Sequence, residues 1–311
     1  MKRIFLLAVA AFFALCVPAR AKLLAAVSIA PQAAFLKQIA GDKVDVVVMV
    51  PAGADPHTYE PKPQQLAALG KAALYFAIGV DFEKAWLPRF AAANPDMTIV
   101  ETDAGIKKMP MVAHEHEADE HGQDVHHAAQ AGEEQGHHHE AGEPDPHIWL
   151  SPRLAKELGS SMRDALAKAD PENVGAYMTG YDRFASACDA LNADIEKLFA
   201  DVPPAQRRFM VFHPSWGYFA RDFDLTQIPI EQLGREPGPK ALAALVREAR
   251  EDGVKVIFVQ PQMSDRQAKT LAQAIGGTVA PLDPLAGDWA ANLKRAAAAL
   301  RQGMTSHAEG K

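Results

Sequence analysis

Cysteine is nearly absent from this chain. There are two, Cys16 and Cys188. Cys16 falls inside an N-terminal apolar stretch, so a chain that has lost that stretch keeps one thiol and cannot close an internal disulfide. Cys188 stands among Ala187, Ala190 and Leu191 in a helical pattern and reads as a small buried hydrophobe. Long apolar runs are equally scarce. The one candidate, Ile4–Val17, is 14 residues long, against the roughly 20 that a spanning helix needs. It is preceded by Lys2 and Arg3 and followed by Ala19-Arg20-Ala21, the pattern of a secretory signal peptide cleaved near Ala21. Leu15 before Cys16 is not the small residue that lipidation calls for. Basic excess is lacking as well: the net charge is −7, and no basic stripe exists to neutralise phosphates, which excludes nucleic acid as the partner. What is there is ample apolar material, 48% of 311 residues, enough for one large or two medium domains of a soluble protein.

Along the chain, short β-type runs alternate with helical ones. Leu23–Ser28, Val44–Val50, Ala73–Ile78 and Thr98–Glu101 read as strands, separated by helical stretches at Pro31–Ile39, Gln64–Leu69 and Lys84–Ala93. The alternation resumes after residue 202, with strands at Phe209–Phe212, Thr226–Ile230, Lys255–Val259 and Thr278–Leu282. Helices are expected at Ser215–Phe223, Lys240–Glu251, Asp265–Ile275 and Asp288–Arg301. Continuous apolar strands separated by helices indicate parallel sheets covered on both faces. Between the halves, a helix from Leu154 to Lys168 precedes a long one from Pro171 to Ala200, with Asp170 as the expected N-cap. Thirty residues of helix span roughly 45 Å, which reads as a rod between lobes. The expected class is therefore α/β: two (β/α) lobes with parallel sheets, joined by one long rigid helix. The expected boundaries are a signal peptide at 1–21, an N-terminal lobe at 22–168, a linking helix at 169–201 and a C-terminal lobe at 202–311.

Residues 113–143 break the pattern. They hold eight histidines (His114, His116, His121, His126, His127, His137, His138, His139), nine acidic residues and no lysine or arginine. Without a periodic apolar face they cannot offset the entropy of ordering, and the segment is expected to be a mobile arm. Imidazoles interleaved with carboxylates make a multi-site, low-affinity chelator, and tethering it beside a cleft raises the metal concentration there.

Four histidines lie outside that arm. His307 sits in a polar tail and carries no expectation. His57 follows a valine strand, His147 precedes the apolar run Ile148-Trp149-Leu150, and His213 ends an apolar strand. Asp283 ends another. Open α/β sheets bind ligands at the carboxyl ends of their strands. These four residues are separated by 90, 66 and 70 positions, and no local His-Glu-x-x-His motif exists, so the fold must assemble any site, at the cleft between lobes. Each histidine alone is equally a strand cap or a backbone partner. Together, three imidazoles and a carboxylate suit a small divalent transition metal, and Zn2+ takes four such ligands tetrahedrally.

The stretches Gly53–Pro63 (GADPHTYEPKP), 145–152 (DPHIWLSP), 212–220 (FHPSWGYFA), 236–240 (EPGPK) and 281–289 (PLDPLAGDW), with the acidic histidine-rich arm, carry a resemblance. The chain resembles, over essentially its whole mature length, the periplasmic metal-binding proteins of ABC importers, and most closely the zinc-specific, ZnuA-type members. The resemblance implies two lobes with limited hinge motion, a Zn2+ cargo, and delivery to an inner-membrane ABC permease without catalysis. A periplasmic zinc chaperone is a candidate further partner, and a monomer is expected. His57, His147 and His213 match the family's three histidine ligands, and Asp283 matches the position where many relatives place a carboxylate. Some zinc members use an acid just before the first histidine, or water; here that residue is Pro56, and Asp55, Glu60 and water stay open beside Asp283. The rival readings are manganese or iron capture by the same fold, which calls for more oxygen ligands, and a zinc hydrolase, which keeps an open position for water beside a base.

Overall fold

The computed structural model describes residues 22–111, 142–231 and 237–305. The expected signal peptide, the eight histidines of the arm, His307 and Glu236 lie outside those residues.

The first half builds a four-stranded parallel sheet in the order β2-β1-β3-β4, from β1 (Leu23–Val27), β2 (Val44–Val48), β3 (Leu74–Ala77) and β4 (Thr98–Glu101). The register pairs Leu23 with Val44 and Leu74 with Thr98. Helices α1 (Ala30–Ala40), α2 (Pro63–Leu69) and α3 (Asp81–Ala93) connect the strands. All four residues of the inner strand β3 are buried, whereas the edge strand β2 buries only Val44, as a sheet covered on both faces requires at its centre. Proline opens α1 and α2 where the missing N–H costs nothing.

Helix α4 (Pro152–Ala169) follows, with the Ser151 hydroxyl accepting the Leu154 N–H at 3.1 Å. The long helix α5 runs Val174–Phe199, 26 residues. Residues 171–173 wind as a 3-10 turn instead of extending it. The Asp170 carboxylate does not cap backbone there but accepts from the Asn173 amide and the Tyr177 hydroxyl, each at 2.7 Å. Tyr177, Gly180, Phe184, Cys188, Leu191, Ile195 and Phe199 form its buried stripe at three- and four-residue spacing. Each of the large apolar side chains there contributes about 1.5–3 kcal/mol by leaving water. The stripe packs against α1 and α4 and against the closing helix α9 (Trp289–Thr305).

The second half repeats the plan, order β6-β5-β7-β8, from β5 (Arg208–Val211), β6 (Thr226–Pro229), β7 (Val256–Val259) and β8 (Thr278–Pro281), with α6 (Gly217–Asp222), α7 (Pro239–Glu251) and α8 (Arg266–Ile275). Alternation along β5 splits its side chains between two cores. Phe209 and Val211 join the large cluster shared with α5, α9 and the first lobe, while Met210 packs with Leu245, Ile257 and Leu271 on the opposite face. Two parallel-sheet lobes joined by one long helix are thus the architecture. Among the described residues no helix is long and apolar enough to cross a membrane.

Candidate metal centre between the lobes

The three structured histidines converge. Their rings lie 5.8 Å (His57–His147), 5.0 Å (His57–His213) and 5.3 Å (His147–His213) apart by centroid. Each offers a ring nitrogen, and these atoms all lie within 4.8 Å of one another. All three rings are buried, at 7%, 3% and 4% exposure, so the imidazoles face one another and not bulk water. His57 comes from the loop after β2. His147 immediately precedes Ile148–Leu150, which is a 3-10 turn leading into α4 and not the strand-like run the sequence suggests. His213 follows β5.

Each ring has its Nδ1 on a carboxylate from a different part of the chain. His57 pairs with Asp81, at the start of α3, at 2.6 Å. His147 pairs with Asp145 at 2.7 Å, and His213 with Glu231 at 2.9 Å. A carboxylate on Nδ1 fixes the tautomer and orientation of an imidazole and leaves ligation to Nε2, the usual support for a metal-binding histidine. The surroundings act unequally on the rings. Burial disfavours the charged form of His57, but the Asp81 hydrogen bond and the fields of Asp55, Asp81 and Glu231 outweigh it, and its pKa rises above 6.5. At His213 burial prevails over the Glu231 bond, helped by the neighbouring His57 and His147, and the pKa falls below 6.5. These carboxylate partners are what sequence reasoning missed. Asp81 and Glu231 lie 24 and 18 residues from their histidines. Asp145 stands two residues before its histidine.

Asp283 is not in the cluster. Its Oδ1 accepts from the Gln262 amide at 2.8 Å and from the Leu285 N–H at 2.9 Å. The physical reason lies in a turn that occurs three times. In Asp55-Pro56-His57 the first aspartate's Oδ1 accepts the N–H two residues on, at 3.0 Å. Asp145-Pro146-His147 does the same at 2.9 Å, and Asp283-Pro284-Leu285 is the third such Asx turn. In the first two the aspartate shapes the turn and the residue after proline faces the centre. Asp283 stands in the turn-forming place, with leucine where the histidine would be. Asp55 likewise gives its Oδ1 to its own turn, and Glu60 is exposed. Among the described residues, the set that the fold brings within reach of one ion is three imidazoles.

The model of the family described as the periplasmic component A of the zinc-uptake complex, ZnuA, matches residues 26–303. The chain belongs to the ZnuA family. It is 30% identical over 263 residues, 83% of its length and 76% of the other's, to the high-affinity zinc uptake system protein ZnuA of Bacillus subtilis. It is similar to a crystal structure of ZnuA at 40% identity and a TM-score of 0.80, covering 91% of this chain and 99% of that one. A zinc-bound deletion mutant of ZnuA superposes with a TM-score of 0.79 at 39% identity, covering 91% of this chain and 98% of that one. The ZnuA family consists of solute-binding proteins, and the chain is a binding protein and not an enzyme.

Proposed function

We propose that this protein captures Zn2+ through the Nε2 atoms of His57, His147 and His213 and hands it, in the periplasm, to an inner-membrane ABC permease for uptake. The observation that carries the reading is the triangle of buried imidazoles, each backed by a carboxylate. A nitrogen donor set of this kind suits zinc, and it weighs against manganese, which favours oxygen ligands. Water takes the fourth position in this reading, since Asp283 turns its Oδ1 to Gln262 and to the Leu285 N–H. The described lobes support a division at 22–168 and 202–311 with 169–201 between them. Signal cleavage near Ala21, a monomeric state and a zinc-delivering chaperone complete the reading.

The test uses a protein shortened between Met111 and Gly142. The Met111 N–H donates to the Glu143 carbonyl at 2.7 Å, so the ends of the removed segment already meet. Zinc titrations of this protein are expected to show one tight site. His57→Ala, His147→Ala and His213→Ala are each expected to lose it. Tight binding preserved in all three variants refutes the site. Loss of the tight site on shortening alone refutes its independence from the histidine-rich arm. Competition between Zn2+ and Mn2+ in the same calorimeter separates the metals.

A further inference from the structure

His147 belongs to the first lobe in sequence, yet the second lobe holds the segment that carries it. The buried Tyr218 of α6 reaches across, and its hydroxyl accepts the Met109 N–H at 2.9 Å and donates to the Asp145 carbonyl at 3.0 Å. Those two residues also pair with each other, the Asp145 N–H donating to the Met109 carbonyl at 2.8 Å beside the antiparallel bridge Pro110–Pro144. The phenol thus fastens both strands of a short ladder. Further along, the Trp149 indole donates to the Pro284 carbonyl, and the Trp289 indole donates to the Trp149 carbonyl, both at 2.7 Å. Ser151 bonds the Asp222 carboxylate. Packing at the same place is close: a methyl group on Gly217 would sit 3.1 Å from Asp145 Oδ2.

We infer that Tyr218 is a positioning residue for the metal, holding the backbone of Asp145, and through it the ring of His147, from the opposite lobe. Asp145 Oδ1 is the single acceptor for both the backbone N–H and the Nδ1 of His147. A displacement of the Asp145 backbone is therefore passed directly to the ring. Tyr218 both donates and accepts, so a phenylalanine in its place leaves the buried Asp145 carbonyl and the half-buried Met109 N–H without that partner, and the ladder relaxes. The second lobe accordingly supplies one ligand, His213, and places another.

The inference rests on His147 being a zinc ligand, and the experiment keeps the two apart. Tyr218→Phe, Gly217→Ala and His147→Ala are made in the full chain. Zn2+ affinity is read by competition with a chromophoric chelator, the d–d absorption of the Co2+-loaded protein reports the geometry of the site, and a melting curve reports the fold of the metal-free protein. Losing the partner of a metal ligand weakens affinity about 10- to 100-fold. Tyr218 acts one bond further out, so Tyr218→Phe is expected to weaken zinc about 5- to 20-fold and to alter the cobalt spectrum, which a loss of overall stability alone would not do. Gly217→Ala, which presses on the Asp145 carboxylate from the same side, is expected to change that spectrum in the same sense, and it decides the matter if Tyr218→Phe does not fold. Native affinity and a native cobalt spectrum in folded Tyr218→Phe or, failing that, Gly217→Ala overturn the inference, provided His147→Ala weakens zinc. Native affinity in His147→Ala overturns the ligand assignment itself.

Discussion

Replacing Glu231 by glutamine removes one charge from the metal centre while keeping its volume. Glu231 is 5% exposed, its backbone N–H is held by the Phe212 carbonyl at 2.9 Å, and its carboxylate sits 2.9 Å from Nδ1 of His213. The side chain therefore has little freedom to retreat, and the amide must face the same ring. Two independent magnitudes bear on the outcome. A buried hydrogen bond to a charged group contributes about 1.5–3 kcal/mol. Loss of the partner of a metal-ligating histidine costs about 10- to 100-fold in affinity, or about 1.4–2.7 kcal/mol. They agree, so the zinc Kd of Glu231→Gln is expected to rise about 10- to 100-fold. Because the pair is buried, the deficit should barely change with salt, in contrast to a surface ion pair. The assay is competition against a chelator of known affinity, with Asp194→Asn as the control. That aspartate pairs with Lys294 on the exposed surface, both side chains more than half exposed, and its loss should leave zinc binding as it was. A folded Glu231→Gln protein with the native zinc Kd would refute the idea that the carboxylates act on the metal through the imidazoles.

Other expectations follow from the same geometry. Asp283→Asn keeps an Asx-turn former, so zinc affinity should change less than in any of the three His→Ala variants; a loss as large as theirs, in the same titration, makes Asp283 a ligand after all. Gly180→Ala puts a methyl group into the carbonyl of Ile39, where α5 crosses α1, and should destabilise the metal-free protein by about 2–3 kcal/mol or more in denaturant unfolding. Burial pushes the Glu83 carboxyl up to about 7 against hydrogen bonds from Ser28 and the N–H groups of Ile78 and Gly79. With a folded pKa above the unfolded 4.5, the native state binds that proton more tightly. The contribution is complete below about pH 4.5 and is lost as pH rises to about 7, some 3 kcal/mol in all. Melting of the chelator-treated protein should show this fall, and Glu83→Gln should lack it. Zinc affinity runs the other way: the raised pKa of His57 means that protons compete from above pH 6.5 downward, and a Kd flat across that range in the calorimeter would contradict it.

The strands were legible because valine-rich and aromatic runs have few alternatives, and the first helix because proline marks its first turn at Pro31; the helices that open at Pro63, Pro152 and Pro239 begin one or two residues before their apolar periodicity shows. His57 and His213 were singled out because each follows a strand, and His147 because it opens the apolar run Ile148–Leu150. Asp283 met that criterion equally well, and its Oδ1 closes its own turn; strand-end position alone does not say whether a carboxylate points at the site. The length of α5 was overread by one turn, since Pro171-Glu172-Asn173 favours a tighter winding that helical periodicity does not distinguish. The carboxylates behind the imidazoles and the reach of Tyr218 to Met109, 109 residues away, depend on how two sheets are set against each other. No local pattern encodes that.

Cys188 lies on the buried stripe of α5, 1% exposed, and burial pushes its thiol up to about 12. Sulfur is the softest zinc donor a protein owns, but only as thiolate, and here the anion is out of reach at any ordinary acidity. The only sulfhydryl among the described residues is thus chemically silent. It neither diverts the cargo from the imidazoles nor offers itself to an oxidant or to a second molecule. Reducing and oxidising surroundings should find the same folded protein with the same appetite for metal.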